Sequence, residues 1–326
     1  MTIEARDARL LYRPAEAAQR FLPEGPYPLG DGIFSWVAIQ HGLEATTGSL
    51  NIFNLQTGEN QQYDLPGRPG FAFPVECAAG ELPSQFVVGL ERHVGCFDLR
   101  TRQFTPWQGP VDAAVENTII NDGVLCETGV IFGCKDLKFT TKKAGLYLLA
   151  NDRQTLHTLR RDQICSNGKQ LVRRGADWLL LDIDSPTKTV VGYPIDLEAG
   201  TIGDPRVVLD LTGGPSFPDG MELTPDGLSI IISFYDPRDV PYGETRQYRI
   251  DDGQLEALWR TPGSPRATCP RLIPFDGRLQ LVITTAVEDM SPSQLERHTQ
   301  AGCLFIADTP WTTRPAAARF PSVSDR

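Results

Sequence analysis

Ser49-Leu50-Asn51-Ile52-Phe53-Asn54-Leu55-Gln56-Thr57-Gly58 reads as an apolar strand with small or polar residues at alternate positions, followed by a turn opened by Asn54. The phrase returns as Val94-Gly95-Cys96-Phe97-Asp98-Leu99-Arg100-Thr101, and further copies begin near Gly145, Val191, Thr245 and Ala301. Asn and Asp suit such a turn because their side chains hydrogen-bond backbone groups two residues on. Six copies spaced about 45 to 57 residues apart mark radial repetition, with one four-stranded unit per copy.

Around these copies helical periodicity is almost absent. The 26 Pro and 30 Gly fall between short β-rich runs such as Leu228-Ser229-Ile230-Ile231-Ile232-Ser233-Phe234 and Leu279-Gln280-Leu281-Val282-Ile283-Thr284-Thr285. The expected fold is therefore all-β: a six-bladed β-propeller of four-stranded antiparallel blades around a central axis that carries the site. A β-sandwich with a second β domain is the alternative, but it does not demand six equal copies. No linker or low-complexity tract divides the 326 residues, so one domain is expected, with the propeller over about 16–312 and a frayed tail over 313–326.

Composition narrows the function. Hydrophobic content of 40% and charged content of 22% fit a folded globular chain. A net charge of −10 leaves no surplus of Lys and Arg to displace phosphate counterions, which argues against nucleic acid and for a small ligand. No basic segment leading into an apolar core is seen at Met1-Thr2-Ile3-Glu4-Ala5-Arg6, and no run of about 18 apolar residues occurs. Seven cysteines without paired spacing read as reduced thiols. A cytoplasmic protein with no membrane partner is expected, monomeric by default, with weak self-association open.

Familiar catalytic signatures are missing. The chain has no Gly-x-Ser-x-Gly elbow, phosphate loop, dinucleotide fingerprint, His-Glu-x-x-His or Cys-x-x-Cys, and its four histidines occupy no recognisable catalytic setting. Chemistry is left to carboxylates, amides or a metal.

Four short motifs supply such groups: Glu24-Gly25-Pro26, Asn121-Asp122-Gly123, Asn167-Gly168 and Pro218-Asp219-Gly220. Each taken singly has the composition of a β-turn. Pro225-Asp226-Gly227, leading into the Leu228 to Phe234 run, reads as an ordinary hairpin turn. Asp219 differs in following the irregular Gly213-Gly214-Pro215-Ser216-Phe217, which suits a loop on the end face of a blade. The motifs fall in different repeats, so loops meeting on the axis would offer an oxygen-rich site for a hard divalent cation. Ca²⁺ is the first expectation, with Mg²⁺, Mn²⁺ or Zn²⁺ open.

In this order the motifs resemble the SMP-30/gluconolactonase/luciferin-regenerating-enzyme family, six-bladed propellers that include metal-dependent sugar lactonases. The resemblance runs from Glu24-Gly25-Pro26 through Phe34 to Ile39, Asp64-Leu65-Pro66, Val88 to Glu91 and the three later motifs to Thr268-Cys269-Pro270 and Thr284-Thr285-Ala286. It implies that Glu24, Asn167 and Asp219 are metal ligands, that Asp219 is also the base, and that Asn121 is a substrate-contacting amide. An Arg common in the family two residues before the Asn-Asp pair is Ile119 here, at an expected substrate-binding position. The strand end Gly133-Cys134-Lys135-Asp136 departs from the family, and Lys135 with Lys138, Lys142 and Lys143 forms a basic loop near the expected mouth. Lys135 is thus an expected substrate contact, against the alternative of a solvated loop. Gly168-Lys169-Gln170 after Asn167 departs as well and is expected to reshape the pocket wall.

The implied activity is metal-dependent opening of a sugar-derived lactone to its hydroxy acid. The same ion could serve an esterase or phosphotriesterase on an acyclic substrate, or a non-catalytic calcium-binding propeller.

Overall fold

Each recurrent phrase folds as the third strand of an antiparallel sheet: Ser49–Asn54, His93–Asp98, Ala144–Ala150, Thr189–Asp196, Tyr242–Arg249 and Leu304–Asp308. The turns that follow work as their composition predicts. Asn54 Oδ1 accepts from the Gln56 N–H at 2.8 Å, and Asp98 and Asp196 accept from Arg100 and Glu198 at 2.8 and 3.0 Å. The computed structural model describes residues 3–313 and 315–322.

Six sheets, here blades I to VI, make up the molecule. From the innermost strand outward, blade I is Pro23–Gly30, Ile33–Ala38, Ser49–Asn54 and Asn60–Asp64. Blades II and III begin on Pro69–Pro74 and Thr118–Cys126. Blades IV, V and VI begin on Ser166–Arg174, Phe217–Leu223 and Ala267–Phe275. Closure is non-sequential, since Arg9–Tyr12 pairs antiparallel with Leu304–Asp308 to complete blade VI. Just before it, Ala5–Asp7 adds in parallel to the edge of blade V. The expected start near residue 16 therefore omits two strands. They are short and half-exposed, which left no clear alternation to read.

The far end also differs from expectation. Residues 314 and 323–326 of the expected tail lie outside the described residues, but 315–322 pack against the propeller. Phe320 is fully buried, its N–H donates to the Pro74 carbonyl at 2.9 Å, and its ring stacks on Trp107 at 5.5 Å. One aromatic residue among small and polar neighbours carries no periodic signal, yet its burial decides the path of the segment.

Among the described residues the buried apolar side chains form six clusters, each wedged between adjacent blades. Blades are therefore apolar on both faces, which explains the consecutive Ile230-Ile231-Ile232. Ile230 and Ile232 pack toward blade IV, and Ile231 between them packs toward blade VI. No helix among the described residues is long and apolar enough to cross a membrane.

All six innermost strands carry a register shift. The breaks fall at Glu24/Tyr27, Pro69/Phe71, Ile120/Gly123, Ser166/Lys169, Pro218/Met221 and Ala267/Pro270. A bulge sets two residues against one, bends the strand and re-aims a side chain. The four motifs coincide with four of these bulges, so they are kinks inside strands and not the end-face loops that their composition predicts. Their glycines serve close packing as well. A Cβ on Gly168 would lie 2.6 Å from the Asp219 carbonyl, and one on Gly220 would lie 2.6 Å from Cys269 Sγ. By contrast, Pro225-Asp226-Gly227 is the ordinary turn expected, with Gly227 at φ 70° and Asp226 Oδ1 accepting from Leu228.

Candidate functional site

The bulges turn side chains from four inner strands toward a cavity of about 340 Å³ at one end of the axis. Glu24 from blade I, Asn121 from blade III, Asn167 from blade IV and Asp219 from blade V all line it, each less than a tenth exposed. Residues separated by almost 200 positions thus share one base.

Hydrogen bonds fix which atoms face the cavity. Asn121 Nδ2 donates to the Ser166 carbonyl at 2.9 Å, and Asn167 Nδ2 donates to Ser185 Oγ at 3.1 Å. With both amide nitrogens committed to the wall, the amide oxygens are left as acceptors for a ligand. Glu24 is steadied by the Gly25 N–H at 2.9 Å and by the Cys269 thiol.

The carboxyls are held at a cost. Burial pushes Glu24 up to about 8, and the Asp122 charge adds to the shift. Asp219 is driven well above the ordinary carboxylate range, by burial first and by Glu24 second. Burial also raises Glu288 at the rim, and Lys135 works against all three shifts. Its side chain is 7% exposed and is among those lining the cavity. Lys138 and Lys142 are solvent-exposed, and Lys143 is bound to Asp136 at 3.0 Å.

Ile119 is elsewhere. It is 2% exposed, pairs with Lys135 across the strand and is not among the residues lining the cavity. Its expected place came from the family position of an Arg, and an apolar side chain at that position packs into the protein interior instead. Lys169 and Gln170 do not form the wall either. Lys169 is buried beneath it, donating to the Asn167 carbonyl at 2.5 Å and lying 3.3 Å from Asp182, while Gln170 Nε2 donates to the Met221 carbonyl.

The carboxyls of Glu24 and Asp219 with the amide oxygen of Asn167 form a hard, oxygen-only donor set, the kind that suits Ca²⁺, Mg²⁺ or Mn²⁺, and the Asn121 oxygen beside them is left for a substrate. A cation placed there would offset the repulsion that raises Asp219. Among the described residues no three His, Cys, Asp or Glu side chains cluster as a ready-made metal cage. The fit thus depends on the Asn167 amide oxygen completing the set.

A model of the SMP-30/Gluconolactonase/LRE-like region matches residues 22–287. The chain belongs to this family. Among curated relatives, YvrE of Bacillus subtilis, a candidate sugar lactone lactonase by name, is 28% identical over 182 residues. That match spans 54% of this chain and only 56% of the relative. Regucalcin of Gallus gallus is 26% identical over 71% of this chain and 76% of its own length. Among solved structures, a calcium-binding protein, regucalcin, of Agrobacterium tumefaciens superposes with a TM-score of 0.80 at 20% identity, covering 98% of this chain and 99% of that one. A luciferin-regenerating enzyme does so at 0.76 and 16%, covering 94% and 98%. At such identities the superpositions speak for the fold alone. The curated relatives thus carry the names of a sugar lactone lactonase and of regucalcin.

Several cavity residues of this SMP-30/gluconolactonase-like propeller gave no sequence signal. Leu22, Phe139, Phe217, Tyr235 and Glu288 stand at strand ends and in loops of different blades. Cys165 also lines the cavity, with its sulfur 3.9 Å from the amide nitrogens of Asn121 and Asn167. Its place two residues before Asn167 was the one available hint. Cys134 and Cys126 are part of the inter-blade packing instead.

Proposed function

We propose that the protein is a metal-dependent hydrolase that opens a lactone to its hydroxy acid. What supports this reading is the convergence of Glu24, Asn121, Asn167 and Asp219 at the base of one open cavity, together with membership of a family that includes a named lactonase. A divalent ion, first of all Ca²⁺, would be held by Glu24, Asn167 and Asp219 and would supply a Lewis acid for carbonyl and water.

The chain's own residues supply the rest. Asn121, braced on Ser166, points its amide oxygen at the substrate and orients a hydroxyl or a bound water. Asp219, a carboxylate lining the cavity, takes the proton from the attacking water. Water oxygen bonds to the carbonyl carbon, the ring carbon–oxygen bond breaks, and the departing oxygen recovers a proton as the hydroxyl of the product. Lys135 offers an ammonium donor for charge developing on the carbonyl oxygen.

The apolar cavity wall favours a second reading, in which the same groups hydrolyse an acyclic ester. Acid release from a panel of γ- and δ-lactones and acyclic esters separates the two. Protein is stripped of metal and then supplied singly with Ca²⁺, Mg²⁺, Mn²⁺ or Zn²⁺. Metal-dependent acid release from lactones is expected. Release from acyclic esters alone would transfer the assignment, and no metal-dependent release from either would overturn it.

A further inference from the structure

The cavity lining combines a polar set of side chains with an apolar one. Leu22, Ile39, Phe139, Pro186, Phe217 and Pro237 line it beside Glu24, Asn121, Asn167 and Asp219. Glu288 and Asp289 add carboxyls at the rim, but Glu288 is engaged electrostatically by Lys135. Of the other polar groups in the lining, the Tyr235 hydroxyl donates to the Glu288 carbonyl at 3.0 Å and Ser185 Oγ accepts from Asn167 at 3.1 Å, so a substrate hydroxyl set against the apolar residues would find no partner.

Phe139 is the most telling of the wall residues. It is 47% exposed and has φ of 52°, a left-handed conformation that a bulky side chain rarely adopts and that gathers at functional sites. Asp136 holds the loop in this shape. Its carboxylate accepts from the backbone N–H groups of Lys138, Thr140 and Thr141 at 3.2, 3.1 and 3.0 Å. The Phe139 ring is thereby set 5.7 Å from the Lys135 ammonium. Phe217 also lines the cavity and is backed by Lys188 Nζ at 4.5 Å.

We propose that the substrate carries an apolar alkyl or aryl substituent, which lies against Phe139 and Phe217 while its carbonyl reaches the polar base. The proposal rests on the hydrolase reading only for the bond that is cut. Fixing Phe139 in advance lowers the ordering cost of binding such a group.

The test compares δ-valerolactone, its pentyl-substituted form and glucono-δ-lactone as substrates of the calcium-loaded protein. It also measures calorimetric binding of the corresponding unreactive lactams. The pentyl lactone should exceed glucono-δ-lactone in kcat/KM by at least about tenfold, and the pentyl lactam should bind at least about tenfold more tightly than gluconolactam. Phe139→Ala, a change on an exposed loop, should cost about tenfold on the pentyl lactone and less than about threefold on the bare ring. Tighter binding of the pentyl lactam without turnover of any lactone would keep the apolar assignment and remove only the hydrolase reading. Equal or tighter binding of gluconolactam, binding of neither, or an equal loss on all substrates in Phe139→Ala would overturn the proposal.

Discussion

The Asn121 side-chain amide donates to the backbone carbonyl of Ser166 across the junction of blades III and IV, at 2.9 Å. This bond decides which end of the amide meets a ligand. In Asn121→Ala the acceptor toward the cavity is lost, and kcat/KM should fall about 10- to 100-fold, the scale of one or two well-placed hydrogen bonds. Calcium affinity should change much less. Steady-state kinetics beside calorimetry checks this, and an unchanged kcat/KM would remove Asn121 from the site.

Asp219 is expected to serve both the ion and the proton transfer. Asp219→Asn should lower turnover by about 10² to 10⁴ and weaken calcium binding in the same variant. Saturating Ca²⁺ at about 100 times Kd should stabilise the native protein by about 2.7 kcal/mol, and this gain should largely vanish in the variant. Without the ion the variant should be at least as stable as the parent, because one of two mutually repelling buried carboxyls is gone. Thermal melts with and without Ca²⁺ test both statements; full turnover in the variant would rule out the assignment.

The loop that carries Phe139 depends on Asp136. Burial pushes that carboxyl up, but Lys143 and three backbone N–H groups outweigh it and bring it down to about 2. A carboxyl held below its ordinary value of about 3.9 adds stability that is complete above that value and is lost as the pH falls through the folded one. Asp136→Asn should therefore cost about 1.5–3 kcal/mol at pH 7, and the gap from the parent should close between about pH 4 and pH 2. Denaturant titrations at several pH values measure it, and a gap independent of pH would refute the role.

Phe320 closes a cleft at blade II. Phe320→Ala empties a fully buried site and should destabilise by about 3–5 kcal/mol. Chemical denaturation provides the measurement, and a loss below about 1 kcal/mol would mean that the backbone pairing alone holds the segment.

Deleting residues 1–12 should be more disruptive than any of these substitutions. The outer edge of Leu304–Asp308 would lose its partner Arg9–Tyr12, leaving an open sheet edge and an unfastened ring. Self-association on gel filtration and a lowered Tm are expected, whereas a monomer with unchanged Tm would contradict the closure role.

The repeated strand and Asx turn were legible because they are local. Alternation and the hydrogen-bonding habit of Asn54, Asp98 and Asp196 need no distant partner, and six copies suffice to imply radial closure. The motifs of Glu24, Asn121, Asn167 and Asp219 were visible as an ordered series of oxygen-bearing residues, and the cavity lining includes all four. Lys135 was visible as a departure from the family pattern.

Tertiary structure decided what depends on neighbours far along the chain. Two Pro-Asp-Gly tripeptides seven residues apart have the same local propensity, yet one is a hairpin turn and the other a bulge packed against blade VI at Cys269. The family position could not place Ile119, because an apolar side chain there is buried away from the cavity lining. Only burial beside Trp107 and Pro74 fixed Phe320, and only the Asp136 network set Phe139 over the cavity. The sequence alone determined a six-bladed ring and an oxygen-rich axis, since both follow from local pattern repeated. The shape and polarity of the cavity were left to the tertiary structure, because its walls come from loops of different blades that meet only when the ring closes.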